Sequence, residues 1–369
     1  MTYAAQARAL DAVILGVIEG WTRGEGFGEA AFNELALRIF DFQLRYNPPY
    51  ARFAAEHGIT PDARPSGWRA IPALPNSAFK DATIATFDAR AAALRFETSG
   101  TTSDRPGVHV MESPALYDAA LLAGFDRFML ADGVRLRYAM LVPHPRERPA
   151  SSLGYMMARV AALRARSATW YLHGDHIAID PLIDDLSAAV AAKAAVCVAG
   201  TAFAFVHMIE AFSRRGISLA LPVGSRIMET GGFKGRSRVV EREELYRRLS
   251  AALGIPGDHI VAEYGMTELT SQYYDAPQTR ASARRLKIGP PWLRTIVVDD
   301  AGRPVRDGVL GRLVHVDLAN RASAIAVATE DLGIVCAEGF ELVGRPADAP
   351  LRGCSLDAEE VRSGVPDRG

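Results

Sequence analysis

An α/β fold of mostly parallel sheets covered by helices, followed by an antiparallel β subdomain, is predicted for this 369-residue chain by three observations. From Tyr138 to Ala262, short apolar runs alternate with stretches of helical period, and strands separated by helices imply a parallel, covered sheet. Beyond residue 286 the runs alternate in polarity and are joined by turns, as antiparallel strands are. Before residue 90 helical periodicity and prolines dominate. The expected organisation is a helical lead-in packed on the main domain (1–90), an α/β core (91–285), an antiparallel β subdomain (286–343) and a short C-terminal segment (344–369).

Taken in order, residues 5 to 20 place Leu10, Val13, Ile14, Val17 and Ile18 on one helical face. Phe32 to Tyr46 repeats that habit, and Pro48-Pro49 is expected to stop it. Pro61 to Pro75 reads as a connector. A loop rich in hydroxyls, Thr98 to Gly107, lies between the apolar run Ala91 to Phe96 and a more helical stretch, Pro114 to Leu130. Strands are expected at Tyr138 to Val142, Thr169 to Leu172, Ala194 to Ala199, Arg226 to Met228 and His259 to Ala262. Helices are expected at 151–165, 180–193, 202–214 and 241–253. Further strands follow at Thr295 to Val298, Arg312 to Val316 and Ile325 to Thr329, with turns at Asp300-Ala301-Gly302 and Arg306-Asp307-Gly308.

Composition excludes several functions. The chain is 49% hydrophobic and 23% charged with a net charge of −1, the profile of a globular protein without a polyanion partner. Its arginines are dispersed, so nucleic-acid binding is not expected. Ala188 to Val206 is interrupted by Lys193, Gly200 and Thr201 and reads as a helix feeding a buried strand, not as a membrane span. The N-terminus lacks a basic region followed by an apolar core, so no signal peptide is expected. Three widely spaced cysteines (Cys197, Cys336, Cys354) form neither a disulfide framework nor a zinc pattern and suit a reducing cytoplasm.

Five motifs carry candidate chemistry. In Glu97-Thr98-Ser99-Gly100-Thr101-Thr102-Ser103-Asp104-Arg105-Pro106-Gly107, eight of eleven residues bear a hydroxyl or are Gly or Pro. Such a loop can wrap an anion with backbone N–H and hydroxyl donors; in isolation it equally reads as a polar surface loop. It lacks the Gly-Lys-Ser/Thr of a Walker loop. Glu263-Tyr264-Gly265-Met266-Thr267-Glu268 follows a strand, where ligands of open α/β sheets bind and a carboxylate can hold Mg²⁺ against phosphate oxygens; alone, Glu268 reads as a solvated loop residue. Met228-Glu229-Thr230-Gly231-Gly232-Phe233 permits close approach of a flat ligand, or is a tight turn. Thr329-Glu330-Asp331 is expected as an acidic turn able to bind ribose hydroxyls, and Gly344-Arg345 follows it. His173-Gly174-Asp175-His176 reads as a polar turn, since no third ligand has matching spacing.

The order of these motifs resembles that of the adenylate-forming superfamily of acyl-CoA synthetases, peptide-synthetase adenylation domains and luciferases. Within it the chain most resembles the acyl-protein synthetases of the LuxE type, the fatty-acid-activating subunits of bacterial bioluminescence reductase complexes. Ile71-Pro72-Ala73-Leu74-Pro75, Phe79-Lys80 and Arg352-Gly353-Cys354-Ser355-Leu356 share in that likeness. The resemblance implies the large-domain fold of adenylate-forming enzymes and ATP with Mg²⁺. Thr98, Ser99, Gly100, Thr101 and Thr102 would enclose the phosphates, and Glu268 would hold the metal. Tyr264 would stack on adenine, Thr267 would contact the α-phosphate, and Asp331 and Arg345 would grip the ribose. Gly231 and Gly232 would border the adenine and acyl pocket. Gly200-Thr201 and His207 resemble the segment lining the carboxylate pocket, while His207 reads equally as a core histidine on a helix.

Two departures accompany the likeness. Where the superfamily loop continues with Gly-x-Pro-Lys-Gly, this chain has Ser103-Asp104-Arg105-Pro106-Gly107. The mobile C-terminal domain that carries a catalytic lysine in the superfamily has no counterpart in this sequence beyond residue 344, and the segment 344–369 is expected in its place. The implied reaction is activation of a fatty or other carboxylic acid as acyl-adenylate and transfer to a thiol, with Cys354 matching the family's near-terminal acylated cysteine. Alternative acceptors are coenzyme A, a carrier-protein thiol or an amine, and an acyl reductase or carrier protein is the expected partner. A reading of another class is a nucleotide-binding subunit of a reductase complex without turnover.

Overall fold

The computed structural model of the chain describes residues 1–98, 105–231, 241–275 and 285–345. Its helices are α1 (Tyr3–Thr22), α2 (Glu29–Tyr46), α3 (Pro48–Glu56), α4 (Ala78–Asp81), α5 (Ala115–Met129), α6 (Ser152–Arg164), α7 (Ile179–Ala191), α8 (Ala202–Arg214) and α9 (Arg242–Leu253). Its strands are β1 (Leu74–Pro75), β2 (Leu94–Glu97), β3 (Val108–Met111), β4 (Arg137–Pro143), β5 (Ser167–His173), β6 (His176–Ile177) and β7 (Val196–Thr201). They continue with β8 (Arg226–Thr230), β9 (Ile260–Tyr264), β10 (Tyr273–Tyr274), β11 (Leu293–Val298), β12 (Leu310–Asp317), β13 (Ala326–Cys336) and β14 (Gly339–Gly344).

The central sheet has the order β10-β9-β8-β7-β4-β5-β6, with β4, β5, β7, β8 and β9 parallel. Successive side chains of a strand point to opposite faces, so each strand feeds two cores. Leu141, Val198 and Ile227 pack with α7, α8 and α9 on one side, and Met140, Cys197, Ala199 and Met228 with α5 and α6 on the other. The direction of strand addition reverses between β4 and β7, the switch point at which open sheets form a ligand crevice.

A second sheet runs β1-β13-β12-β11, with β14 on β13; its ladders are antiparallel except for β1 beside β13. One core joins it to the helices of the lead-in, Ile14, Phe32, Phe40 and Tyr50 lying with Trp292, Leu313 and Val327. The two regions also share hydrogen bonds. Gln43 Nε2 donates to the carbonyls of Asn320 and Arg321 at 2.9 and 3.1 Å, and its Oε1 accepts from Ile325 N at 2.9 Å.

Three sequence expectations are corrected. Pro48-Pro49 ends α2 but also opens α3, because proline is accommodated in the first turn, where its missing N–H has no helical partner. The hydroxyl-rich loop leads into strand β3, not a helix; Val108-His109-Val110-Met111 is too short for its period to show. Thr329-Glu330-Asp331 is not a turn after a strand but lies within β13. Arg312 pairs with Leu332 and Val314 with Ala328, so Leu313 alone faces those three residues across a bulge.

Candidate active site

The crevice is built at the C-terminal edge of the parallel strands. Register places Leu141 beside Gly200, Gly200 beside Glu229, Thr201 beside Thr230 and Thr230 beside Glu263. Gly200-Thr201 and two of the motifs are therefore side by side on adjacent strands. Gly200 is obligatory there, since a Cβ would stand 2.9 Å from Leu141 Cβ. Thr201 caps α8, its Oγ1 accepting from Ala204 N at 3.2 Å, so a helix N-terminus faces the crevice edge and favours an anion. His207, one turn further along α8, is half-buried with its ring 4.4 Å from that of Phe203. Gly231 follows β8 with φ +81°, a conformation that favours glycine.

The strongest convergence concerns Tyr264 of β9, Asp331 of β13 and Arg345, which directly follows β14. Tyr264 Oη donates to Asp331 Oδ2 at 2.8 Å, and Arg345 Nε donates to Asp331 Oδ1 at 2.6 Å. Burial and the Asp331 carboxylate push the Tyr264 phenol well above its ordinary range, so it remains a donor. The Tyr264 ring packs among Tyr273, His315 and Phe340 and is 9% exposed. His315 sits beneath it, with Nε2 3.2 Å from the Tyr264 hydroxyl and Nδ1 3.0 Å from that of Tyr273. Burial holds its imidazole neutral, pushed down to about 4.

Thr267 and Glu268 are buried in the irregular segment between β9 and β10. His109 Nδ1 lies 2.7 Å from Thr267 O, and Asn320 Nδ2 donates to Glu268 O at 2.9 Å. Thr270 N, Ser271 N and Ser271 Oγ converge on the buried Asp317 carboxylate. Thr98 and Gly107, at the two ends of the hydroxyl-rich stretch, extend the β2–β3 ladder: Gly107 N donates to Thr98 Oγ1 at 2.8 Å, and Thr98 N donates to Gly107 O at 2.8 Å. Ser99, Gly100, Thr101, Thr102, Gly232 and Cys354 lie outside the described residues.

Beside the crevice, Thr230 and Glu263 share a hydrogen bond across β8 and β9. Burial raises the Glu263 carboxyl to about 7 and raises that of Glu229, whose Oε2 accepts from Tyr246 Oη at 3.0 Å. Lys287, buried and pushed below its ordinary pKa, donates to Ala262 O at 2.8 Å.

Among the described residues no group of three or more His, Cys, Asp or Glu could hold a metal ion. Glu268, a single carboxylate, fits magnesium that arrives with a triphosphate, since that ion needs only one or two protein carboxylates beside phosphate oxygens. His173 and His176 form a tight β5–β6 turn in which Glu147 accepts from Gly174 N at 2.9 Å, as the polar-turn reading expects. Cys197 is fully buried, its thiol pushed up to about 12 by burial, whereas Cys336 is half-buried.

His109, His315 and Asn320 escaped the sequence reading. His109 lies in a four-residue strand that the sequence pattern did not reveal; only its contact with Thr267, 158 residues away, marks it.

Residues 24–361 match the family model described as "Acyl-protein synthetase, LuxE". A long-chain-fatty-acid–luciferin-component ligase from Vibrio harveyi is 20% identical over 99% of this chain and 97% of its own length. Among solved structures, an open conformation of 2-hydroxyisobutyryl-CoA ligase in complex with 2-HIB-AMP and CoA aligns with a TM-score of 0.64 at 17% identity, covering 86% of this chain and 70% of that one. ATP-bound MatB from Rhodopseudomonas palustris aligns at 0.50 and 16% identity, covering 70% of this chain and 49% of that one. These structural likenesses establish the adenylate-forming fold. Among the described residues no helix is long and apolar enough to cross a membrane.

Proposed function

Because the chain belongs to the LuxE family of acyl-protein synthetases, which are ligases, we propose that it activates a carboxylic acid with ATP and passes the acyl group to a protein cysteine. A fatty acid is the favoured substrate, by analogy with the Vibrio harveyi relative. What supports the nucleotide reading above all is the Tyr264–Asp331–Arg345 set. Each Asp331 oxygen already accepts one hydrogen bond and retains acceptor capacity, as a diol of ribose requires. The Arg345 guanidinium holds the carboxylate in place for that task through a charge-assisted hydrogen bond.

In this reading the carboxylate oxygen attacks the α-phosphorus of ATP, the bond to the β-phosphate oxygen breaks, and pyrophosphate leaves with the electron pair. Thr267 and the donors of residues 98–102 stabilise the charge that builds on the phosphoryl oxygens. Magnesium, when bound with the nucleotide, neutralises part of that charge, and Glu268 is the residue that would hold it. Tyr264 and the Gly231-Gly232 backbone flank adenine. Gly200-Thr201, His207 and the N-terminus of α8 receive the acid. A cysteine thiolate then attacks the carbonyl carbon and AMP departs; Cys354 is the proposed acceptor, from which a reductase or carrier protein would take the acyl group.

The test is exchange of labelled pyrophosphate into ATP across a panel of carboxylic acids, followed by intact-mass measurement of the full chain. Acid-dependent exchange and an acyl adduct that disappears in Cys354→Ala are expected. An adduct that survives the substitution moves the thioester elsewhere. ATP binding without exchange for any acid overturns the reaction and leaves a nucleotide-binding subunit.

A further inference from the structure

We infer that His109, which belongs to none of the motifs above, is a positioning residue that registers Thr267, and with it Glu268, against the β2–β3 hairpin strands. This rests on the nucleotide-site reading of Thr267 and Glu268.

Residues 265 to 272 lie between β9 and β10 and have no strand ladder; Met266 O accepts from Leu269 N, and the next two carbonyls are met by side chains. Thr267 O has the Nδ1 of His109 at 2.7 Å, and Glu268 O has the Nδ2 of Asn320 at 2.9 Å. Two successive carbonyls of the motif are thus pinned by side chains from separate segments, the β2–β3 hairpin and the loop after β12.

A carbonyl only accepts, so Nδ1 carries the hydrogen and Nε2 is the acceptor. His109 is 1% exposed, and burial pushes its imidazole down to about 4, so the neutral Nδ1–H form persists at neutral pH. The strand that carries His109 is itself locked to β2. Gly107, two residues earlier, exchanges hydrogen bonds with Thr98, and His109 pairs with Phe96 in the ladder. A shift of β3 therefore moves the Thr267 carbonyl and the motif that carries it. Misplacement of reacting groups by about 1 Å can cost 10²-fold in rate, which is the scale on which such a pin matters.

The test uses the full chain with His109→Phe, which keeps a ring and removes the donor, and His109→Gln, which keeps an N–H. A small cavity bordered by His109, Met111, Tyr117 and Asn320 gives the larger ring room. For His109→Phe the expected result is a kcat for acid-dependent exchange lowered roughly 10- to 100-fold, with KM for ATP changed less than about threefold. His109→Gln should recover most of the loss. A merely structural histidine predicts lower stability in both variants and unchanged kcat per folded molecule, and that result overturns the proposal. Should the Phe variant not fold, nitrogen NMR of the parent decides. A protonated Nδ1 whose shift moves on adding ATP and magnesium supports the role; an Nε2–H tautomer overturns it. Absence of exchange in the parent overturns the proposed reaction and this role together, whereas parent-like exchange in His109→Phe overturns this role alone.

Discussion

Glu263 shows how burial turns an ordinary carboxylate into a pH-dependent load on the fold. Its only hydrogen-bonding side-chain partner among the described residues is Thr230, and its neighbour Glu229 adds like charge to an interior already costly for an anion. The native protein keeps the Glu263 proton up to about pH 7, while an unfolded chain releases it near 4.5. The group's contribution is therefore full below 4.5 and is lost as pH rises through 7. The buried His109 and His315 act in the opposite sense, their contribution being complete above 6.5 and lost as pH falls towards 4. Replacing Glu263 with Gln should remove only the first effect, so the urea midpoint of the variant should gain on that of the parent as pH is raised from 4.5 to 7. Parallel profiles for the two proteins would contradict the raised carboxyl.

At the scale of the element, β13 carries the site because it is irregular. Thr329 Oγ1 donates to Leu313 O at 2.9 Å and accepts from Asp331 N at 3.0 Å, so the threonine side chain closes the bulge that re-aims Asp331 towards Tyr264 and Arg345. Just beyond, Gly333 faces Gly311 across the ladder. A Cβ at Gly333 would stand 2.7 Å from Glu341 O and 2.7 Å from Leu313 Cδ2. The carbonyl belongs to the paired strand and cannot give way cheaply. Gly333→Val should therefore destabilise the protein by about 1–3 kcal/mol and weaken ATP binding through displacement of Asp331. Denaturant midpoints and calorimetric titration check this; a variant within about 0.5 kcal/mol of the parent would show that the ladder absorbs the side chain.

Across the whole molecule, the lead-in helices and the antiparallel sheet are one body with a charged buckle. Arg321, 2% exposed, is held by Asp11 of α1 at 2.8 and 2.9 Å and by Glu112 at 3.0 Å. Its neighbour Asn320 holds Glu268 O, so α1 supports the motif from behind. Removing one partner of a buried guanidinium leaves a charge that must find compensation, and Glu112 supplies only part of it. Asp11→Ala should cost about 2–3 kcal/mol and hasten hydrogen exchange in α1. A loss confined to the range of exposed ion pairs, under about 1 kcal/mol, would show that Glu112 suffices.

Much of this architecture was legible in the sequence, because helical and strand periodicity are local. The helix at 202–214 coincides with α8, and the five central strands fall where apolar runs occur. The motifs were legible too, as clusters of hydroxyls, glycines and carboxylates. Their partners were not. That Asp331 meets Tyr264, that His109 meets Thr267 and that Leu74 extends the sheet of β13 are contacts across long stretches of chain. Nothing in the local pattern specifies them. The bulge at Thr329 was hidden for the same reason, since register is decided by the facing strand. By itself the sequence determined which segments become strands and helices and which chemical groups the chain has to offer. Only the tertiary structure decided which of those groups share a hydrogen bond, because that choice is made by the burial of apolar faces from distant segments against one another.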